Sequence, residues 1–218
     1  MRPRIEPGRR PDRQAALKQY KGRARYYDTE LMLFEPIRAE AIALLQLHPG
    51  DRVIDVGCGT GLSFDRLHSR VGKIGRITGV EQCPEMMAQA KEKVAQHRWT
   101  NVDLVTAPVA TARIDGLADA ALFHFTHDIL REEAAVANVF AHLKPGARVV
   151  AAGLQWAPPW AWPTNGFVMM AALYSTTSLE GLGHPWSRLA PRLENFRVQH
   201  TVLGGIYVAS GTFDPRHH

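Results

Sequence analysis

The chain has 218 residues, 45% of them hydrophobic, which suits one large domain with a substantial core that needs no staples. A predicted helix and strand separate its two cysteines, Cys58 and Cys83; this pattern argues against a disulfide framework and a C-x-x-C metal site, so no metal is expected and the expected setting is a reducing cytoplasm. The formal charge of +5 is uneven: residues 1–25 hold nine Lys/Arg and two Asp/Glu, or +7, leaving −2 for the rest, so the body lacks the basic excess of a nucleic-acid groove.

In chain order, residues 1–13 interleave Arg2, Arg4, Arg9, Arg10 and Arg13 with Pro3, Pro7 and Pro11 and read as a flexible basic arm, without the apolar centre of a signal peptide. Helices are predicted over 14–27 and 30–47, the second carrying Leu31, Phe34, Ile37, Ile42 and Leu45 near helical spacing. His48-Pro49-Gly50-Asp51 ends it. Alternation follows: strand 52–56, helix 61–69, strand 74–80, helix 84–96, strand 101–105, a short helix or loop over 107–114, strand 118–124, helix 129–143 and strand 147–154. Such βα alternation predicts an α/β fold, a parallel sheet with helices on both faces.

The last third changes character. Trp156, Trp160, Trp162 and Trp186 stand among several prolines; helices are predicted over 164–179 and 185–193. An antiparallel hairpin is predicted from 197–202 and 206–212, joined through Gly204-Gly205. The apolar run Phe167–Tyr174 is far too short for a bilayer span, which needs about 20 residues.

The densest chemical signal is Val53-Ile54-Asp55-Val56-Gly57-Cys58-Gly59-Thr60-Gly61, an apolar strand running into Asp-x-Gly-x-Gly-x-Gly. Closely spaced glycines let backbone turn sharply and approach a ligand. Dinucleotide loops favour G-x-G-x-x-G/A, and Leu62 in the last place weakens that reading. A second acidic residue, Glu81, ends the next strand about 20 residues on, the spacing of one βαβ unit. Asp55 suits an ammonium, and Glu81 suits the two hydroxyls of a ribose. S-adenosylmethionine carries both groups and no phosphate.

With Tyr26-Tyr27-Asp28, Gly79-Val80-Glu81-Gln82-Cys83-Pro84-Glu85-Met86-Met87 and Leu143-Lys144-Pro145-Gly146, these residues resemble the class I S-adenosylmethionine-dependent methyltransferases. The likeness is to their small-molecule branch, which includes the quinone-biosynthesis C-methyltransferases, and covers roughly residues 20–155. It implies a Rossmann-like, seven-stranded, mostly parallel sheet whose last strand is antiparallel. It further implies one methyltransferase domain over 14–218: N-terminal helices (14–50), a cofactor core (51–154), a substrate-side aromatic segment (155–193) and a terminal hairpin (194–213). The implied cofactor contacts are Tyr27, Asp55, Gly57, Cys58, Gly59, Gly61, Glu81, Gln82, Met86, Pro108, Val109 and Phe125. Thr106-Ala107-Pro108-Val109 departs from relatives that carry an acidic residue after the third strand, leaving adenine to apolar atoms and backbone.

Ligands of open α/β sheets sit beyond the carboxyl ends of the strands. Methyl transfer is an in-line displacement on a sulfonium and yields S-adenosylhomocysteine; a base is needed only where the acceptor must lose a proton. His127, just past the fourth strand, is the first candidate and His124 the second, since free imidazole titrates near 6.5. Gln155, Trp156, Asn165 and Tyr174 are the candidate substrate contacts. The expected partner is a small, partly apolar acceptor, on a monomer or homodimer. Phospholipid head-group N-methylation, RNA methylation and a non-catalytic cofactor-binding subunit are the alternatives. Peripheral membrane contact through the aromatic segment, aided by the basic arm, is a further reading.

Overall fold

A computed structural model describes residues 34–175 and 178–216. The basic arm, the predicted helix 14–27 and Tyr27 lie outside them. The apolar run after Arg52 forms β1 (Arg52–Val56), buried from Val53 onward. It pairs in parallel with β2 (Arg76–Glu81) on one side and β4 (Ala118–His124) on the other. β3 (Val102–Thr106) lies outside β2, and β5 (Leu143–Leu154) outside β4, both parallel. β7 (Ile206–Phe213) runs antiparallel to β5 and to β6 (Leu193–Thr201). The resulting sheet has seven strands in the order 3-2-1-4-5-7-6, and among the described strands β7 alone is reversed. The expected α/β architecture is therefore present, reversed strand included.

Strand side chains alternate between two cores because neighbours along a strand point to opposite faces. Val53 and Leu122 pack with Ile42 of α1 (Glu35–Leu44), Leu67 of α2 (Phe64–Val71) and Met87 of α3 (Pro84–Gln96). Ile54 and Phe123 pack on the other face with Leu130 of α4 (His127–Arg131) and with Val136, Val139 and Phe140 of α5 (Glu133–Ala141). A third cluster closes the carboxyl end of the sheet: Leu154, Leu182 and Ile206 pack with Val168 and Ala172 of α6 (Trp162–Ser175), and Phe34, Phe125 and Trp156 lean on it.

Several predicted boundaries move, each for a local reason. The helix predicted over 129–143 is two helices, because Glu132 between them takes an extended backbone (φ −92°, ψ 107°). Its carbonyl then receives the amides of Ala135 and Val136, both at 3.1 Å. The predicted strand 147–154 begins at Leu143, pairing there with Ala118 and running through Pro145-Gly146 with a register shift. Helix 61–69 starts at Phe64, since Gly61 sits at φ +76° and still belongs to the turn. No helix of the predicted length forms over 185–193; a 3-10 turn occupies Ala190–Arg192 and β6 begins at Leu193. The hairpin is present, with a four-residue connection between Thr201 and Ile206 in place of a tight Gly-Gly turn.

Candidate functional site

β1 delivers Asp55 and the chain then turns at once. Gly57, Gly59 and Gly61 have φ of +67°, +56° and +76°, the left-handed region that a Cβ makes costly. A Cβ on Gly57 would stand 2.7 Å from both Ile129 Cδ1 and Thr126 Cγ2, so this turn is packed directly against the segment that leaves β4. The Cys58 amide donates to the Val80 carbonyl at 3.0 Å, and the Gly61 amide to the Cys58 carbonyl at 2.9 Å. The Cys58 thiol is buried, and burial with Asp55 and Glu81 nearby pushes its pKa well up. It remains a thiol at neutral pH.

Glu81 ends β2 and is buried. Its Oε2 accepts the Gly59 amide at 3.1 Å and its Oε1 the Cys83 amide at 2.7 Å, tying the glycine turn to the start of α3. Burial raises its pKa, while the amides of Cys83, Gly59 and Gln82 pull it back. The Ala107 amide donates to the Glu81 carbonyl at 3.1 Å, bringing Pro108 and buried Val109 alongside. Met86 is buried one turn into α3, and Gln82 is half-buried.

Asp55 is 2% exposed, and its Oδ2 is buried without a hydrogen-bond partner. Burial pushes its pKa up to about 7; Arg38 opposes that rise and Glu81 adds to it. Arg38 escaped the sequence reading, yet it is also 2% exposed. Its guanidinium pairs with Glu35, which also pairs with Arg66, and its Nε has no partner. The signal was present: Arg38, Ala41, Ile42 and Leu45 follow i, i+3, i+4, i+7, which sets a cation on the buried face of α1. The described fold thus buries a cation and a carboxyl group that each keep an unpartnered polar atom, an arrangement that costs free energy unless it is matched.

At the end of β4, Phe125 adopts φ +56° while its amide donates to the Ala152 carbonyl at 2.7 Å. Such a backbone costs an aromatic residue about 1–3 kcal/mol. Its ring packs 4.7 Å from Phe34 and 4.9 Å from His124, centroid to centroid. His124 Nε2 is buried without a partner, and burial, helped by Arg38, lowers its pKa to about 3. His127 Nε2 donates to the Glu180 carbonyl at 2.8 Å, a bond that fixes the tautomer and leaves Nδ1 as a buried lone pair with no partner. Burial lowers its pKa as well, against the opposing effects of that carbonyl and of Asp128.

The expected substrate contacts are partly engaged within the fold. Gln155 Nε2 lies 2.7 Å from the Gly204 carbonyl and 2.6 Å from His200 Nδ1, holding the β6–β7 connection, while its Oε1 is buried without a partner. Asn165 closes a ring with Ala157, accepting its amide at 2.8 Å and donating to its carbonyl at 3.1 Å. Trp156 is half-buried against the third cluster, its amide bonded to the Leu182 carbonyl at 2.9 Å. Tyr174 lies on α6, and its side chain is outside the described set. Among the described residues, no group of three or more His, Cys, Asp or Glu could hold a metal ion.

Residues 53–146 match the family model described as a methyltransferase domain. Malonyl-[acyl-carrier protein] O-methyltransferase from Serratia marcescens is 26% identical over 139 residues, 64% of this chain and 52% of that protein. Trans-aconitate 2-methyltransferase from Variovorax paradoxus is 30% identical over 182 residues, 75% of this chain and 65% of that one. The chain thus spans about half the length of the first of these relatives. Among solved structures, N-methyltransferase NodS from Bradyrhizobium japonicum WM9, in complex with S-adenosyl-L-homocysteine, superposes with a TM-score of 0.59. That match has 14% identity and covers 83% of this chain and 87% of NodS.

Proposed function

We propose that this chain, whose residues 53–146 form a methyltransferase domain within a class I S-adenosylmethionine-dependent methyltransferase fold, moves a methyl group from S-adenosylmethionine to a small, partly apolar acceptor. The observation that carries this reading is the unpartnered, buried carboxylate oxygen of Asp55 at the foot of the glycine turn. Leaving such a group unmatched costs about 1–3 kcal/mol, which a ligand ammonium would recover. Arg38 is the matching cation for a carboxylate at the same amino-acid end. Glu81 receives the amides of Gly59, Cys83 and Gln82 and, with about four acceptor sites on a carboxylate, keeps acceptor capacity that suits a ribose hydroxyl. Val109, Met86 and Pro108 supply an apolar bed for an adenine, and Gly57 and Gly59 let backbone approach without a Cβ.

S-adenosylmethionine, when bound, supplies a methyl group on a sulfonium that is open to in-line attack. What remains for the protein is alignment, exclusion of water and, for an acidic acceptor, removal of a proton. His127 fits that last task better than His124. Its Nε2–H is held by the Glu180 carbonyl, so Nδ1 is an oriented base, whereas a pKa of about 3 makes His124 a weak one. Trp156, half-buried against the third cluster beside Phe125, is the proposed acceptor wall. The name of one relative, trans-aconitate 2-methyltransferase, supports a small acceptor. An acceptor that arrives ionised needs no base at all.

The test is titration calorimetry with S-adenosylhomocysteine between about pH 5.5 and 8. One site is expected, with affinity that rises with pH through about 7 and levels off about a unit higher, where Asp55 is largely ionised. Asp55→Asn should weaken binding and flatten that dependence. Absence of binding across the range overturns the proposal.

A further inference from the structure

We propose that the outer face of α6, together with the tip of the β6–β7 connection, rests on an anionic lipid surface, with the basic N-terminal segment as its electrostatic partner. The first observation is chemical. From Val149 to Leu179, 31 residues, the chain carries no Asp, Glu, Lys, Arg or His. Part of this stretch is a surface helix. Thr164, Val168 and Ala172, spaced by four, turn α6 inward onto the third apolar cluster. Its other side is open: Trp162 is 75% exposed, Met170 66%, Phe167 48% and Met169 43%. A soluble helix ordinarily places charge there.

The second observation is that neighbouring elements extend this face. Trp160, 70% exposed, lies in the 3-10 turn Pro159–Ala161 that leads into α6, and Leu203, 65% exposed, lies in the β6–β7 connection. That connection lies against the helix and its approach: a Cβ on Gly205 would stand 2.6 Å from Thr164 Cγ2, and one on Gly204 2.8 Å from Pro158 Cδ. Leu203 adopts φ +52°, a costly backbone for a leucine. Indole rings flanking aliphatic and thioether side chains suit the boundary between acyl chains and head groups.

The third observation selects the occupant. Residues 1–25 carry +7, and the chain enters the described fold at Phe34, which leans on the same cluster as Val168 and Ala172. The eight residues between can span at most about 29 Å, so the +7 segment joins the fold within that reach of Phe34. A second copy docking here would bring two such segments together and repel. An anionic bilayer attracts the charge and accepts the apolar side chains, the two signals that stable peripheral binding uses.

The experiment uses the full chain, co-sedimented with vesicles of phosphatidylcholine alone and of equal phosphatidylcholine and phosphatidylglycerol. The protein should bind the anionic vesicles and leave those of phosphatidylcholine largely free. Its tryptophan fluorescence should be quenched by lipid brominated near the head of the acyl chain. Phe167→Glu with Met170→Glu, both on the exposed side, should retain the circular dichroism of the parent and lose about tenfold or more in partition. No binding to anionic vesicles overturns the proposal, and so does binding undiminished in the double variant, which assigns it to the basic segment alone. A dimer in ultracentrifugation that the double variant dissolves, with no lipid binding by the parent, also overturns it and makes the face a contact between copies.

Discussion

Glu81 holds the glycine turn through Gly59 and the start of α3 through Cys83, so one side chain serves the architecture and the proposed ribose contact together. Glu81→Gln separates the two roles, because an amide oxygen can still accept one of those bonds while the charge is gone. Charge-assisted hydrogen bonds are worth about 1.5–3 kcal/mol, so S-adenosylhomocysteine affinity should fall roughly tenfold or more. Calorimetry on the folded variant checks this, and unchanged affinity removes the ribose assignment. His127 calls for a kinetic measurement. If it takes a proton from the acceptor, His127→Asn should lower turnover by about two to four orders of magnitude at nearly constant cofactor affinity. Since burial depresses its pKa, the parent's rate at saturating cofactor should stay level as pH falls past 6.5, where a free imidazole would lose activity. Normal turnover by the variant on the true acceptor returns His127 to a purely packing role against Glu180.

At the scale of elements, the glycine turn is the part most directly readable from sequence, because each residue there answers a local backbone demand. Gly57→Ala tests that demand twice over. The new methyl would require φ near +67° and a place 2.7 Å from Ile129 Cδ1 and Thr126 Cγ2. A loss of about 1–3 kcal/mol in urea denaturation is expected, together with weaker cofactor binding; a variant of parental stability contradicts the packed turn. The βα alternation was legible for the same reason, since patterning and glycine or proline punctuation act within a few residues. What escaped was set by distant partners. Arg38 matters because Asp55, 17 residues away in sequence, is buried near it, and His127 is oriented by a carbonyl at Glu180, 53 residues on. Gln155 and Asn165, candidate substrate contacts by their polar type, also hold the fold through Gly204, His200 and Ala157, partners that lie on other elements. The break at Glu132 and the strand through Pro145-Gly146 turn on tertiary pairing that overrides the local pattern.

For the whole molecule, Asp55 and His124 pull stability in opposite directions over almost the same pH range. Asp55 titrates near 3.8 unfolded and about 7 folded, so between those values the folded state holds the extra proton and stability falls as pH rises. His124 titrates near 6.5 unfolded and about 3 folded; there the unfolded state holds the extra proton and stability rises with pH. Each slope approaches about 1.4 kcal/mol per pH unit, and the two largely cancel. Asp55→Asn should therefore make stability fall more steeply on acidification from pH 6.5 to 4.5, and His124→Gln should reverse the sign of the change. Urea denaturation at three pH values measures both, and parallel curves for parent and variants would show that these groups are not buried as described.

The strand order also bears on how the chain comes to be folded at all. Within the described sheet, β6 touches only β7, and β7 lies between β5 and β6 although it follows both in the chain. As a ribosome extends the polypeptide, residues 193–201 emerge before their native partner β7, and the open edge of β5 waits with them. Pairing of β5 with β7 is completed only after Ile206–Phe213 has appeared, so a nascent chain arrested near residue 205 carries an unpaired β5 edge and an unpartnered β6. Translation speed across the last strands thus sets how long two sticky edges stay exposed, and chaperone demand should concentrate in that interval.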